Sequence, residues 1–297
     1  MTEKILGKGS KTSLPVWARI ILIIISYLIL SAIFQIIGML IANVPLTDLK
    51  ALEYLSLNQL LIVQFLGFIA LIIIVYIFRK FIDKESFKSI GFSLVNRTND
   101  ITAGFIIALT LIGGGSLILF SLGYINFSNI QFDFQTLILS LFLCILISLN
   151  EEILIRGYVL NNLLTSMNKY LALTISAIIF TLFHSLNFNL SLIGIINLFL
   201  AGVLLGSTYI FTKNLWFPIS LHLFWNFLQG PVFGYSVSGQ KFDSLLTLKT
   251  IGNETINGGE FGFEGSVLCT IITIVSIIMI MIYYNKKLPS IIKPKLH

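Results

Sequence analysis

Apolar residues run along this chain in long unbroken blocks, and short polar segments separate the blocks. Blocks of ~20 residues match an α-helix crossing the ~30 Å hydrocarbon core of a bilayer. A membrane β-barrel would instead alternate polarity in ~10-residue segments. About eight spans can be drawn on this criterion, over 16–41, 58–79, 101–124, 135–157, 170–187, 190–212, 214–231 and 265–284. The pattern therefore predicts an all-α, polytopic membrane protein. The first block, Val16 to Val44, is too long for a signal-peptide core, and no A-x-A-like site follows it, so it reads as a retained span. The seventh is short and aromatic (Trp216, Phe217, Phe224, Trp225, Phe227) and is the weakest by hydropathy.

Composition supports this class. The chain is 56% hydrophobic and 11% charged, where soluble domains carry ~25% charge. Cys144 and Cys269 fall inside apolar blocks and read as core packing, with no disulfide implied. The net charge is +6. On a membrane protein such charge reports topology before nucleic acid, and no nucleic-acid partner is expected. With eight spans, one side collects Lys4, Lys8, Lys11, Arg19, Arg79, Lys80, Lys84, Lys88, Arg97, Arg156, Lys169, Lys213, Lys286, Lys287, Lys293 and Lys295. The other holds Lys50, Lys241 and Lys249. The positive-inside rule then places both termini in the cytoplasm, and the low charge with Ile, Lys and Asn usage points to a bacterial plasma membrane.

Three regions follow: N-terminal helices over 1–125, a four-span core over 126–231, and an external loop, last span and basic tail over 232–297. The 80–100 loop has apolar residues at helical spacing with lysines between. It fits an interfacial amphipathic helix and, equally, a polar cytoplasmic loop. The 231–264 loop is rich in glycine and ends Gly258-Gly-Glu-Phe-Gly-Phe-Glu-Gly265. Gly113-Gly-Gly115 marks a kink or, by preference, a close helix contact. No internal repeat is evident, which weighs against an inverted-repeat transporter.

The chemistry concentrates in the core. Glu151-Glu152-Ile-Leu-Ile-Arg156 interrupts an apolar span. Charge at that depth costs at least ~2.5 kcal/mol per residue on insertion scales, so ionisable residues there are candidate functional groups. Adjacent helical residues diverge by about 100°, while i and i+4 share a face. Glu152 can therefore pair with Arg156, leaving Glu151 without a local partner. A desolvated, unpaired carboxylate suits general acid/base work. The residues alone leave a second reading open, in which all three lie at the span end and snorkel into water. Phe180-Thr-Leu-Phe-His184 supplies an imidazole, and His222-Leu-Phe-Trp-Asn226 places an imidazole and a carboxamide on one face. Each is equally compatible with polar helix–helix contact. Leu198-Phe-Leu-Ala-Gly202-Val-Leu-Leu-Gly206 puts two glycines on one stripe, which suits close packing. A common depth for these groups requires span 4 to carry Arg156 into the membrane and span 5 to start below its surface.

Taken together, the four segments resemble the CPBP family, the CAAX proteases and bacteriocin-processing proteins, also called the Abi family. Its pattern is EExxxR, FxxxH, an aromatic or aliphatic residue with xxxG, and HxxxN. All four occur here in order, on separate predicted spans, with no departure at a motif position. Residues 230–265 also resemble bacterial members, while spans 1–3 match only in hydropathy.

The resemblance implies an intramembrane endopeptidase with a polar cavity opening towards the cytoplasm. It would act on a membrane-embedded, lipidated or amphipathic peptide. By motif position, Glu151 would activate water, His184 would assist, and His222 with Asn226 would stabilise the oxyanion. Glu152, Arg156, Phe180 and Gly202 would support the cavity wall. The resemblance commits to no cofactor. A zinc site on Glu151, His184 and His222 is possible on ligand type. A metal-free reading is preferred, because Asn226 suits an oxyanion role and the sequence offers no dedicated carboxylate to orient either histidine. Two alternatives stay open: a non-proteolytic immunity or scaffold protein of the same fold, and an ion-coupled transporter using Glu151 and the histidines as a relay.

Overall fold

The computed structural model describes residues 14–46 and 55–292, with side chains to residue 286. Lys4, Lys8, Lys11, Lys50, Lys293 and Lys295, used above for topology, lie outside the described residues.

Eight main helices make up the bundle. They are α1 (Val16–Ile41), α2 (Leu57–Ile82), α3 (Thr98–Ser121), α4 (Phe134–Leu163), α5 (Lys169–Phe183), α6 (Leu192–Thr212), α7 (Trp216–Phe227) and α8 (Val267–Ile292). Six of them, all but α5 and α7, are long and apolar enough to cross a membrane. The protein is a multi-pass membrane protein. Its outer helices confirm the solvent: in α1 and α8 only 17% of the most apolar window is buried inside the protein. So much exposed apolar surface is stable only against lipid.

Polar side chains punctuate the bundle. The Ser56 and Gln59 side chains form a reciprocal capping box at the start of α2. Asp133 caps α4 by accepting from the Gln135 N–H at 2.9 Å, and the Thr136 hydroxyl and nearby backbone N–H groups hold this carboxyl below its usual range. Asn168 caps α5 and Ser191 caps α6. After α6, Lys213 turns into the left-handed region, and the Asn214 side chain accepts from the Trp216 N–H to restart the chain as α7.

Two ends of the bundle are well defined. At the basic end, Arg19 of α1 reaches Asp83 after α2 (2.6 Å) and Asn162 of α4 (2.9 Å). There the Tyr209 hydroxyl of α6 donates to the Ile90 carbonyl (2.9 Å), and Ser220 of α7 donates to the Ile101 carbonyl of α3 (2.7 Å). Phe211 of α6 stacks on Tyr284 of α8. At the other end, β1 (Ile125–Ile130) pairs antiparallel with β2 (Leu246–Thr250), with Phe127 opposite Leu248 and an irregularity before Ile130. This sheet end also joins the starts of α6 and α8, where Asn197 donates to the Glu264 and Ser266 carbonyls.

The structure changes four sequence expectations. The fold is predominantly helical but includes this two-stranded sheet. Span 4 does not stop at 157: α4 runs to Leu163, and its Ile153–Leu160 stretch is π-helical and buried at every position. A helix buried all round is central. No amphipathic helix forms over 80–100. A single 3₁₀ turn, Phe87–Ile90, tucks Ile90 fully into the core and ends at Gly91, whose φ of 102° few other residues adopt. Finally, the Gly-rich 231–264 segment is a packed cap, with Tyr235, Phe261 and Phe263 buried. A Cβ on Gly115 would collide with the Phe263 ring, so the last glycine of the triplet serves that close contact, while Gly113 and Gly114 meet no such neighbour; a π-helical stretch at Leu109–Gly113 lies just before it.

Candidate active site

The central helix α4 points its two glutamates in different directions. Glu152 is fully buried and faces α7 and its own next turn. Its Oε1 accepts from Arg156 at 2.7 Å and from His222 Nδ1 at 2.9 Å. Arg156, also fully buried, donates to the Gly202 carbonyl of α6 at 3.1 Å and lies over the Phe180 ring of α5 at 4.5 Å. One guanidinium thus ties α4, α5 and α6. The glycine stripe of α6 permits it: a Cβ on Gly202 would meet the Ala177 Cα at 2.9 Å. Small residues are how membrane helices approach this closely.

Glu151 faces a cavity of about 400 Å³. Its Oε2 is buried without a hydrogen-bond partner. It stands 3.5 Å from His184 Nε2 and 3.8 Å from His222 Nε2. The tautomers follow from the second nitrogens. His184 Nδ1 donates to the Phe180 carbonyl at 2.8 Å, since a carbonyl only accepts. His222 Nδ1 donates to Glu152, whose carboxylate is paired with Arg156. In their neutral forms both Nε2 atoms therefore present lone pairs towards a third acceptor, Glu151 Oε2. Three converging acceptors at these spacings ask for a donor between them. A water placed between Glu151 Oε2 and His184 Nε2, 3.5 Å apart, would donate to both. Phe180 holds the geometry, with its ring centroid 4.6 Å from His184 and 6.3 Å from His222. Asn226 lies one turn beyond His222, is 4% exposed, and lines the same cavity.

The preferred metal-free reading rested partly on histidines without an orienting carboxylate. That premise is corrected here: Glu152 orients His222. Glu151 Oε2 and the two Nε2 atoms, 3.5 and 3.8 Å from it, are also of the ligand types that zinc takes, so their placement is no argument against a metal.

Sequence reasoning missed several cavity residues. Glu264, in the cap, is buried and accepts from Trp225 Nε1 (2.9 Å), the Ser238 N–H (2.8 Å) and the Ser238 hydroxyl (2.7 Å). It fastens the cap to α7 beside Asn226. Tyr27, Gln35, Gln64 and Asn150 add polar groups from α1, α2 and α4. Only the aromatic and glycine neighbours of Glu264 hinted at burial, and a Gly-rich stretch more commonly signals a loop.

The cavity thus holds a carboxylate with one unpartnered oxygen beside two oriented imidazoles. Residues 133–228, spanning α4 to α7 and all four motifs, match the family model described as type II CAAX prenyl endopeptidase, Rce1-like. The match agrees with the CAAX protease resemblance read from the motifs and supports a membrane-bound peptidase. A search among curated proteins found no match.

Proposed function

We propose that this chain is an intramembrane endopeptidase that hydrolyses a peptide bond in a membrane-associated, lipidated or amphipathic peptide. The observation that carries the reading is Glu151 Oε2, buried and unpartnered, within 3.8 Å of both imidazole Nε2 atoms. Glu151 takes a proton from a water held between it and His184, and the resulting hydroxide attacks the scissile carbonyl. Asn226 donates to the oxyanion, and His222, held by Glu152, donates beside it when its ring carries a second proton. Glu151 or His184 then delivers the proton to the leaving amine. Glu152, Arg156, Phe180 and Gly202 position these groups. The steps use only this chain's side chains and water. Both termini face the cytoplasm in this reading, and the membrane is a bacterial plasma membrane.

The test is cleavage by the membrane-reconstituted protein of a panel of amphipathic and lipidated peptides, followed by mass spectrometry. Endoproteolytic products are expected. Peptide binding without cleavage across the panel would support the scaffold reading instead.

A further inference from the structure

The cavity is not open equally to both ends of the bundle. Its deepest lining residues on the basic side are Ile155, Leu205 and Leu221, each at most 5% exposed. Below them the π-helical stretch of α4 is wholly buried. The Arg19–Asp83–Arg79 ion network and the Ile90 turn pack against this plug. Among the described residues, buried side chains thus close the basic side of the cavity.

The opposite side differs. From Tyr27, beside the site, α1 presents Gln35 two turns on, about 12 Å nearer the sheet end at 1.5 Å per residue. Gln35 lies across Gly67 of α2, where an added Cβ would meet its Nε2 at 3.2 Å. Gln64 continues the polar lining on α2, and Gln240 of the cap lines the same cavity. Helix α5 stops at Phe183, and after it Leu186 lines the cavity while being 94% exposed. The cavity is thus a vestibule between α1, α2 and the cap that opens towards the sheet end. Among the described residues Arg79, Lys80, Lys84, Lys88, Arg97, Lys169, Lys213 and Lys286 sit at the sealed end, against Lys241 and Lys249 at the open end. The positive-inside rule makes the sealed end cytoplasmic.

We infer that the substrate reaches Glu151 from the extracytoplasmic side, as an extended peptide segment held by the carboxamides of Gln35 and Gln64. This rests on the endopeptidase reading and reverses the cytoplasmic access that the family resemblance implied. The vestibule also limits substrate charge. Its lining includes Glu151 and Glu264 but no lysine or arginine, so segments without acidic residues next to the scissile bond are the class it accepts.

Thiol labelling tests the route independently of catalysis. In cells expressing Gln35→Cys, a membrane-impermeant maleimide added outside should label the protein without permeabilisation. Lys88→Cys should label only after permeabilisation. The native Cys144 and Cys269 are buried, and the unsubstituted protein gives the background. Labelling of Gln35→Cys only from the cytoplasmic side, or from neither side, would overturn the inference. With a panel peptide that the detergent-solubilised enzyme cleaves, right-side-out vesicles should act on external peptide at least tenfold faster than inverted ones. A glutamate beside the scissile bond should lower kcat/KM at least tenfold relative to lysine there. Equal rates in either comparison would contradict that part of the proposal. If no peptide is cleaved in detergent, the endopeptidase reading fails, whatever the labelling shows.

Discussion

Two charge clusters sit inside this bundle, and their acceptors are partnered differently. At the basic end, both oxygens of Asp83 are taken: Oδ1 by Arg19 (2.6 Å) and the Tyr158 hydroxyl (3.3 Å), Oδ2 by Arg79 (2.9 Å). In the cavity, Glu151 Oε2 has no hydrogen-bond partner. Asp83 is 1% exposed and the Glu151 side chain 27%, with Oε2 itself buried, so a buried carboxylate oxygen alone does not mark a reactive group. The unused acceptor facing open space does. Two adjacent residues differ in a related way: each has one buried oxygen without a partner, but Glu152 gives its other oxygen to Arg156 and His222 and lies off the cavity, while Glu151 lines it.

The largest expected effect follows from the empty acceptor. Glu151→Gln keeps the size of the side chain and removes its basicity. Turnover should fall by about 10²–10⁴-fold, with thermal unfolding in detergent unchanged. A stability loss equal to that of a core variant would erase the distinction between the clusters. Asp83→Asn should do the reverse. It strands two buried guanidiniums without a countercharge and should cost about 3–5 kcal/mol. The activity of the molecules that remain folded should stay near wild type, measured as turnover per folded protein. Glu152→Gln belongs between them, because it unpairs Arg156 and frees His222; both stability and kcat should drop. Gly202→Ala forces α6 away from the Ala177 backbone and should cost about 1–3 kcal/mol, read as a lower melting temperature. The smallest effect is expected from zinc chelation, which should leave turnover largely intact. Reversible loss restored by zinc would place a metal among the three acceptors.

The site was legible in the sequence to the extent that it depends on helix periodicity. The i, i+4 rule separated Glu151 from Glu152 and paired the latter with Arg156, as the 2.7 Å contact has it. Periodicity says nothing about which helix faces meet, so the link from His222 to Glu152 was invisible. Arg19 and Arg79 enter the sequence reading only as charges that report topology. They are instead buried with Asp83, a partner 64 residues from Arg19. The same limit hid Glu264, whose three donors come from Trp225 and Ser238. The 80–100 segment failed for a local reason. Its spacing suits a helix, but Gly91 ends the turn, and the Gly91 carbonyl accepts from the Leu215 N–H at 2.9 Å.

The central claim is that Glu151 activates water and does not itself attack the peptide. Single-turnover cleavage in water enriched in oxygen-18 separates the two directly. Water attack predicts one heavy oxygen in the new C-terminal carboxylate of the first-turnover product. Unlabelled product in that first turnover, with heavy oxygen appearing only later, would mean that a protein carboxylate supplied the oxygen and would contradict the account.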